Sequence, residues 1–438
     1  MTKPQTPRIR PRTEFRVPPP LVQRIDSLGF TGTDLLIDEA FGPTAALVLW
    51  QCFRDVELWG TATARGELFH PESANVRESQ IEEIDLSDGD LKAELMGFVE
   101  LLRRPEATDP ARIALLCSAV AAWLEGRSCL RSAVDFAVAA YLADPDKASL
   151  AVRVARLTRV LAEYPRSISW FDYSLYLARR SNDWQAYSEA LAGLGNLYFQ
   201  TGNFPRARYF HRRCLKVAGR KRLQEMVGAA YHNLFTVEME SGKVELAQSF
   251  AEKAFEAYSP TSPCLVRLAR DLAHRWTVLG FFDRALPLAL EMVNHFHRPV
   301  ERAQVWAGVG RAAGGAGAGA TFEDAWIETW GLVKRGAADP FAADVLIDLA
   351  HGAASLGDTR RAEHAAQKAL AIAMERKEGH TILVAEALLD SLRPQPSKPS
   401  KPSQPSPQRH HTSEQRPERQ RLDQGILRAL QALRAAAA

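Results

Sequence analysis

The sequence predicts an all-α protein, a right-handed solenoid of paired helices with disordered basic termini. The composition favours helix over sheet, because Ala, Leu, Arg and Glu are abundant while aromatic residues make up only 8% of the 438 residues. From about residue 108 onward, apolar segments at helical spacing alternate with short breaks that contain Gly or Pro. Regular alternation of this kind indicates an array of helix pairs.

The first 107 residues divide into two segments. Residues 1–20 end in three prolines and carry a net charge of +4, which predicts a disordered basic arm. Residues 21–107 form an N-terminal helical region of unclear type, in which apolar residues between Ala45 and Trp59 recur at helical spacing. Ser87, three residues before Asp90, predicts a helix start.

Residues 108–392 are predicted to form the solenoid. At four of its breaks a glycine is followed five residues later by an alanine, as in Gly202 and Ala207. Glycine adopts the left-handed conformation that ends a helix, and alanine allows two helices to cross closely. One helix pair cannot bury its apolar face alone, so neighbouring pairs are expected to stack.

One repeat shows a known signature in order: Leu194, Gly195, Tyr198, Gly202, Ala207 and Leu215. This run resembles the tetratricopeptide repeat (TPR), and the resemblance covers roughly residues 108–392. Equivalent alanines recur every 37 to 40 residues, against about 34 in the usual TPR, so the resemblance is to long-repeat TPR proteins of the bacterial type. Cys214 stands where the family prefers alanine. The resemblance implies that the first helix of each pair lines a concave groove.

The resemblance also implies a peptide-binding groove. Its predicted residues lie on the first helices of three successive repeats: Asn196, Phe199, Gln200, His232, Asn233, Arg267 and Arg270. Asn196 and Asn233 resemble the two asparagines of the carboxylate clamp of TPR cochaperones, and Arg267 matches one of its bases. Ala192 and Asp271 stand at the other two basic positions, which argues against that clamp and leaves a general peptide groove. The alternative is that the asparagines are solvated or cap internal turns.

The repeat pattern stops after residue 392. Residues 393–420 are rich in Pro, Ser and Gln and predict a disordered, semi-rigid linker. Residues 421–438 predict a short amphipathic helix with Leu422, Ile426 and Leu430 on one face. We expect this helix to dock on its own solenoid, on a second copy of the chain or on an outside partner, which allows self-association.

The net charge of +3 is unevenly distributed. The positive charge lies at the two ends, and residues 21–392 sum to −7. We expect no nucleic-acid binding from this body, because phosphate contacts supply most of such affinity. The five scattered cysteines form no C-x-x-C pair, and no apolar stretch reaches the ~20 residues of a membrane span. These observations predict a cytoplasmic protein with reduced thiols.

No sequence motif points to catalysis, a cofactor or a metal. The Gly-rich stretch from Gly308 to Thr321 lacks the Lys-Ser/Thr ending of a phosphate loop, and it is predicted to be a helix end with an extended turn. His295 and His297 are two residues apart and cannot share a helix face. Cys214 has no neighbouring base that would make it a nucleophile.

The sequence therefore predicts a non-catalytic interaction module or adaptor that binds a peptide or protein segment in its concave groove. One alternative is a signal-responsive regulator whose solenoid changes shape when a peptide binds. A less favoured alternative is an enzyme with a cryptic domain in residues 21–107.

Overall fold

The computed structural model describes residues 42–66, 68–84, 89–127, 129–336, 341–376, 379–393 and 416–437, together with residues 20, 32, 33 and 338. The predicted basic arm, except for its last residue, lies outside the described residues, as do most of the predicted linker and the predicted cap at Ser87. The chain divides into two compact units, Met1–Val237 and Glu238–Ala438.

The helices follow one another with short connections. The first unit contains α1 (Pro43–Thr61), α2 (Ser73–Glu82), α3 (Gly89–Gly97), α4 (Val99–Arg103), α5 (Pro110–Gly126), α6 (Leu130–Ala143), α7 (Ala148–Val160), α8 (Tyr164–Ser181), α9 (Trp184–Gln200), α10 (Phe204–Lys221) and most of α11 (Gln224–Glu240). The second unit contains α12 (Val244–Ala257), α13 (Cys264–Val278), α14 (Phe282–Met292), α15 (Pro299–Gly315), α16 (Gly319–Lys334), α17 (Ala342–Ser355), α18 (Thr359–Arg376), α19 (Gly379–Leu392) and α20 (Arg416–Ala437). No β-strand occurs in the described part of the chain.

Consecutive helices pack as pairs. In the first unit α5 packs on α6, α7 on α8 and α9 on α10, and in the second unit α13 packs on α14, α15 on α16 and α17 on α18. The first helices of successive pairs also contact one another, α7 with α9, α13 with α15, and α15 with α17. This arrangement confirms the all-α class and the helix pairs that the sequence predicts.

Five successive turns between helices share one backbone geometry and recur at a fixed spacing along the sequence. Five successive turns carry a residue with φ between 56° and 74°: Ala162, Asn182, Gly202, Arg222 and Gly242. These residues are 20 positions apart. After each of them a backbone N–H donates to the carbonyl five residues earlier, as from Asn203 to Tyr198 at 2.8 Å. This is the Schellman ending of a helix, and it sets a half-repeat of 20 residues.

The alanines that the sequence predicts at close helix crossings are fully buried. The set is Ala207, Ala247, Ala285, Ala325 and Ala362, each with an exposed fraction of 0%. This burial is consistent with the prediction that a neighbouring helix lies too close to these positions for a larger side chain.

The Gly-rich stretch departs from its prediction. Residues 308–315 lie inside α15, a tight turn passes through Gly317 at φ 72°, and α16 begins at Gly319. The predicted helix end is present, whereas the predicted extended turn is wrong, because the turn spans only residues 316–318. A Cβ added at Gly314 would overlap the backbone of Gly352 on α17, and one added at Gly310 would lie 2.8 Å from Leu349. The glycines thus bring α15 and α17 into backbone contact.

A histidine is buried in the core of the first unit. His211 on α10 is 1% exposed, and its ring lies against Gly195 on α9, where an added Cβ would overlap the imidazole. Burial lowers the pKa of His211 to about 3, so the ring is neutral at pH 7. Position 195, part of the TPR-like run, must therefore be glycine, because the His211 ring fills the space that a side chain there would need.

We predict that Gly314→Ala lowers the free energy of unfolding by about 1–3 kcal/mol, because the added methyl group has backbone on its far side that cannot rotate away. Gly308→Ala is the matched control on the same helix, since nothing lies within 4 Å of its Cβ position. The control is expected to stabilise by about 0.5–1 kcal/mol through helix propensity. Urea unfolding followed by circular dichroism measures both, and equal stabilities for the two variants would contradict the backbone contact.

Candidate functional site

A cleft of about 480 Å³ opens between the first helices α13, α15 and α17 of the second unit, and the second helix α14 also lines it. The buried side chains of Met292, Val305 and Val345 line it, and Phe341, which is 40% exposed, lies at its edge. Gly308, on the central helix α15, also lines the cleft, and an added Cβ there would meet nothing within 4 Å. The central helix therefore offers open space where other residues would place a side chain.

Charged side chains of both signs surround this apolar surface. On α13, Arg270 Nε lies 3.4 Å from Asp271 Oδ1. Arg311 on α15 donates to Asp348 Oδ1 on α17 at 2.7 Å, which ties the two helices together. Asp344 adds an exposed carboxylate on α17. The cleft thus combines an apolar lining with charges whose partners are mostly in place.

A histidine next to this ion pair carries no charge at neutral pH. Burial lowers the pKa of His351, the nearby positive charge of Arg311 lowers it further, and Asp348 acts in the opposite direction. His351 therefore does not compete with Arg311 for the Asp348 carboxylate.

The predicted groove residues of the first unit occupy first helices, as expected. Asn196 on α9 and Asn233 on α11 are both half-buried, and the buried ring of His232 lies 6.3 Å from that of Phe235. Their contact with a ligand stays a prediction.

Two further predicted residues, at the end of α9, have partners within the protein. The ring of Phe199 lies 5.8 Å from that of Phe204, across the turn into α10. The amide oxygen of Gln200 accepts a hydrogen bond from Arg159 on α7. A ligand that uses these side chains would have to compete with those contacts.

In the second unit the structure separates the two predicted arginines. Arg270 lines the cleft, whereas the guanidinium of Arg267 lies 2.8 Å from the Cys264 sulfur. Sequence reasoning missed Arg311, Asp344 and Asp348, because the predicted groove residues came from the repeats between residues 196 and 270. The signal that points to them is the glycine spacing on α15, which marks a helix crossing.

The C-terminal helix α20 packs against α12, α13 and α14 of the second unit. Leu422, Ile426 and Leu430 are all at most 5% exposed, so the predicted apolar face is covered. Gly425 allows the close approach, since an added Cβ would lie 3.0 Å from the ring of Phe255 on α12. In this structure the helix occupies a surface of its own chain.

Polar contacts fix the position of α20 along that surface. Asp423 accepts hydrogen bonds from Trp276 Nε1 at 3.1 Å and from Arg284 Nε at 2.6 Å, and the Arg284 guanidinium lies 3.9 Å from the Trp276 ring centre. Arg434 lies 3.2 Å from Glu291 at the other end. Burial raises the pKa of Asp423, although Arg284 and Trp276 act to lower it.

The described His, Cys, Asp and Glu side chains form no metal cluster, and the Cys52 and Cys214 thiols are fully buried. Within the described ranges, no group of three or more His, Cys, Asp or Glu side chains has the geometry to hold a metal ion. None of the five cysteines forms a disulfide. Burial raises the pKa of Cys52 and of Cys214 to about 12, so both thiols are protonated and unreactive at neutral pH. Of the helices that the structure describes, none has the length and hydropathy of a membrane span.

No family profile and no curated protein matches the chain in sequence. Left-handed turns, buried alanines and first helices stacked on first helices define its architecture. This helix-pair architecture is of the TPR-like type. Solved structures with similar folds include a Rap protein complexed with competence and sporulation factor, with 13% identity over 80% of this chain and 99% of that one and a TM-score of 0.44.

Two further similar structures have comparable scores or lower. The APC/C hetero-tetramer Cut9–Hcn1 shows 15% identity over 79% of this chain and 63% of that one, with a TM-score of 0.45. The TPR2AB domain of yeast Sti1, in a complex with pHSP90, shows 15% identity over 64% of this chain and 98% of that one, with a TM-score of 0.24. These similarities concern the fold of the TPR-like chain and not its ligand.

We predict that Asp423→Ala releases α20 from the second unit of this TPR-like protein. The substitution removes the acceptor of two partly buried donors, at a cost of about 1–3 kcal/mol, and most of a helix's stability in a protein comes from packing of its apolar face. Hydrogen–deuterium exchange of residues 422–436 should become at least about tenfold faster. Gln424→Ala, at an exposed neighbouring position, is the control and should leave exchange unchanged. Equal exchange in both variants would show that the Asp423 contacts do not hold the helix.

Proposed function

We propose that this protein is a non-catalytic interaction module that holds an extended peptide segment in the cleft between α13, α15 and α17. The observation that carries the proposal is the open space at Gly308, bordered by apolar side chains and flanked by charged groups on both sides. An apolar side chain of a peptide would gain about 25 cal/mol for each Å² that it buries there.

The polar lining favours a peptide over a purely apolar ligand. A peptide backbone carries a donor and an acceptor in each residue, and both must find partners when they leave water. Gln304 lines the cleft and offers a side-chain donor and acceptor, and Thr277, whose hydroxyl donates to the Ala273 carbonyl, adds an acceptor. Asp344 is exposed on the α17 side, so the segment that fits best has a Lys or Arg there and an apolar residue over Gly308.

The proposal is tested with peptides selected from a random display library against the full chain, their binding being measured by fluorescence anisotropy. Gly308→Leu places a side chain in the open space without a clash, so it should weaken binding of the selected peptides at least about tenfold, or about 1.4 kcal/mol. Gly319→Leu is the control, because that exposed glycine on α16 also has nothing within 4 Å of its Cβ position.

The melting temperature of both variants should equal or exceed that of the wild type. Unchanged peptide binding by Gly308→Leu, or failure of the library to yield any peptide that binds the wild type, would refute the cleft as the binding site. The double change Asn196→Ala with Asn233→Ala tests the first-unit prediction in the same assay: weaker binding would extend the site, and unchanged binding would confine it to the second unit.

The position of α20 favours a second candidate, a regulated form of the same module. Thr277 and Met292 line the cleft, while the adjacent Trp276 and Glu291 contact α20, so one helix pair serves both surfaces. A ligand that shifts α13 against α14 would then change the affinity for α20, and the coupling is reciprocal. Asp423→Ala should therefore change the affinity for the selected peptides, whereas Gln424→Ala should not; equal affinities would rule out this form.

A further inference from the structure

Helix α10, in the first unit, has an unusual charge. Its 18 residues include seven Lys or Arg and no Asp or Glu. The other second helices carry far less positive charge: α8 and α18 each sum to +2, and α12 carries Glu245, Glu252 and Glu256 against one lysine. The charge of α10 is therefore a local property, which the body's sum of −7 conceals.

The basic residues occupy the face of α10 that points away from the core. Ala207, His211, Cys214 and Ala218 are buried on the inner side. The opposite face carries, at spacings of three and four, Arg206, Tyr209, Arg213, Lys216 and Arg220. At 1.5 Å per residue this row is about 21 Å long. Arg212 and Arg208 border it, so the basic face covers nearly half of the helix circumference.

Tyrosines orient some of these cations without neutralising them. Arg206 donates to Tyr198 Oη at 2.9 Å, and Arg213 donates to Tyr187 Oη at 3.3 Å. Arg212, Lys216 and Arg220 are exposed, and among the described residues none of the three forms an ion pair with a carboxylate. The face thus keeps its positive charge available to a ligand.

An aromatic ring stands within the basic row. Tyr209 is 55% exposed, and the guanidinium of Arg213 lies 5.6 Å from its ring centre. Cations along a helix with an exposed ring among them match a chain of phosphates whose bases are free to stack. An acidic peptide would leave the ring without a partner, and in a duplex the bases are already stacked on each other.

We propose that the exposed face of α10 binds single-stranded nucleic acid through its phosphates, with a base stacked on Tyr209. The acidic charge elsewhere does not prevent this, because charges more than about 8–10 Å away are screened at physiological salt. The binding is expected to be independent of sequence, because contacts to phosphates carry no sequence information. This activity goes beyond peptide binding in the second unit.

The test uses the full chain and a labelled oligothymidylate, with binding followed by fluorescence anisotropy over a range of salt concentrations. The triple variant Arg212→Gln, Lys216→Gln, Arg220→Gln should bind at least about tenfold more weakly at about 0.1 M salt. Its slope of log K against log salt should be shallower by about two, because each lost phosphate contact on a single strand removes about 0.7.

The matched control is Arg335→Gln, Arg360→Gln, Lys368→Gln, which removes the same charges from exposed positions of the second unit. It should bind as the wild type does. Tyr209→Ala should lose about tenfold in affinity while Tyr209→Phe keeps it, because only the ring is needed for stacking. All variants should melt within a few degrees of the wild type, since the changed side chains are exposed.

Three results would overturn the proposal. One is no detectable binding of oligothymidylate by the wild type at low salt. Another is equal weakening by the two triple variants, which would reduce the effect to net charge. The third is equal competition by polyglutamate or by duplex DNA, which would assign the face to an acidic protein segment or to a double helix.

Discussion

The backbone contact between α15 and α17 is the constraint on which the second unit depends. Gly310, Gly314 and Gly352 leave no side chain between the two helices, so their axes come as close as the main chains allow. That approach brings Arg311 within 2.7 Å of Asp348, and both side chains line the cleft. A larger residue at the crossing would both separate the ion pair and widen the cleft. The stability of the array is therefore coupled to the shape of its binding surface.

The repeat architecture was predictable because its determinants are local and repeated. Turn glycines and crossing alanines have fixed offsets, and Gly202 with Ala207 shows both in one repeat. Ala162 and Arg222 were not recognised as turn residues, since neither residue type signals a positive φ. The Gly-rich stretch was predicted to be a helix end with an extended turn. The helix runs on to Gly315, because packing against α17 outweighs the low helix propensity of glycine.

The candidate sites were less predictable than the fold. Groove residues were transferred to three successive repeats between residues 196 and 270, but the cleft extends over α13, α15 and α17, and only Arg270 of the predicted set lines it. The docking surface of α20 joins residues about 140 positions apart, such as Arg284 and Asp423, a pairing that no local pattern reveals. The basic residues of α10 were visible in the sequence, but the net charge summed over residues 21–392 concealed them.

The most direct test of the account is hydrogen–deuterium exchange of the full chain with and without a peptide selected from the display library. If the cleft holds the peptide, exchange slows in segments 264–278, 299–315 and 342–355, which are the first helices α13, α15 and α17. Segment 319–334, the second helix α16, is expected to exchange at the same rate in both states. Protection confined to second helices, or to the first unit alone, would contradict the assignment of peptide binding to this cleft.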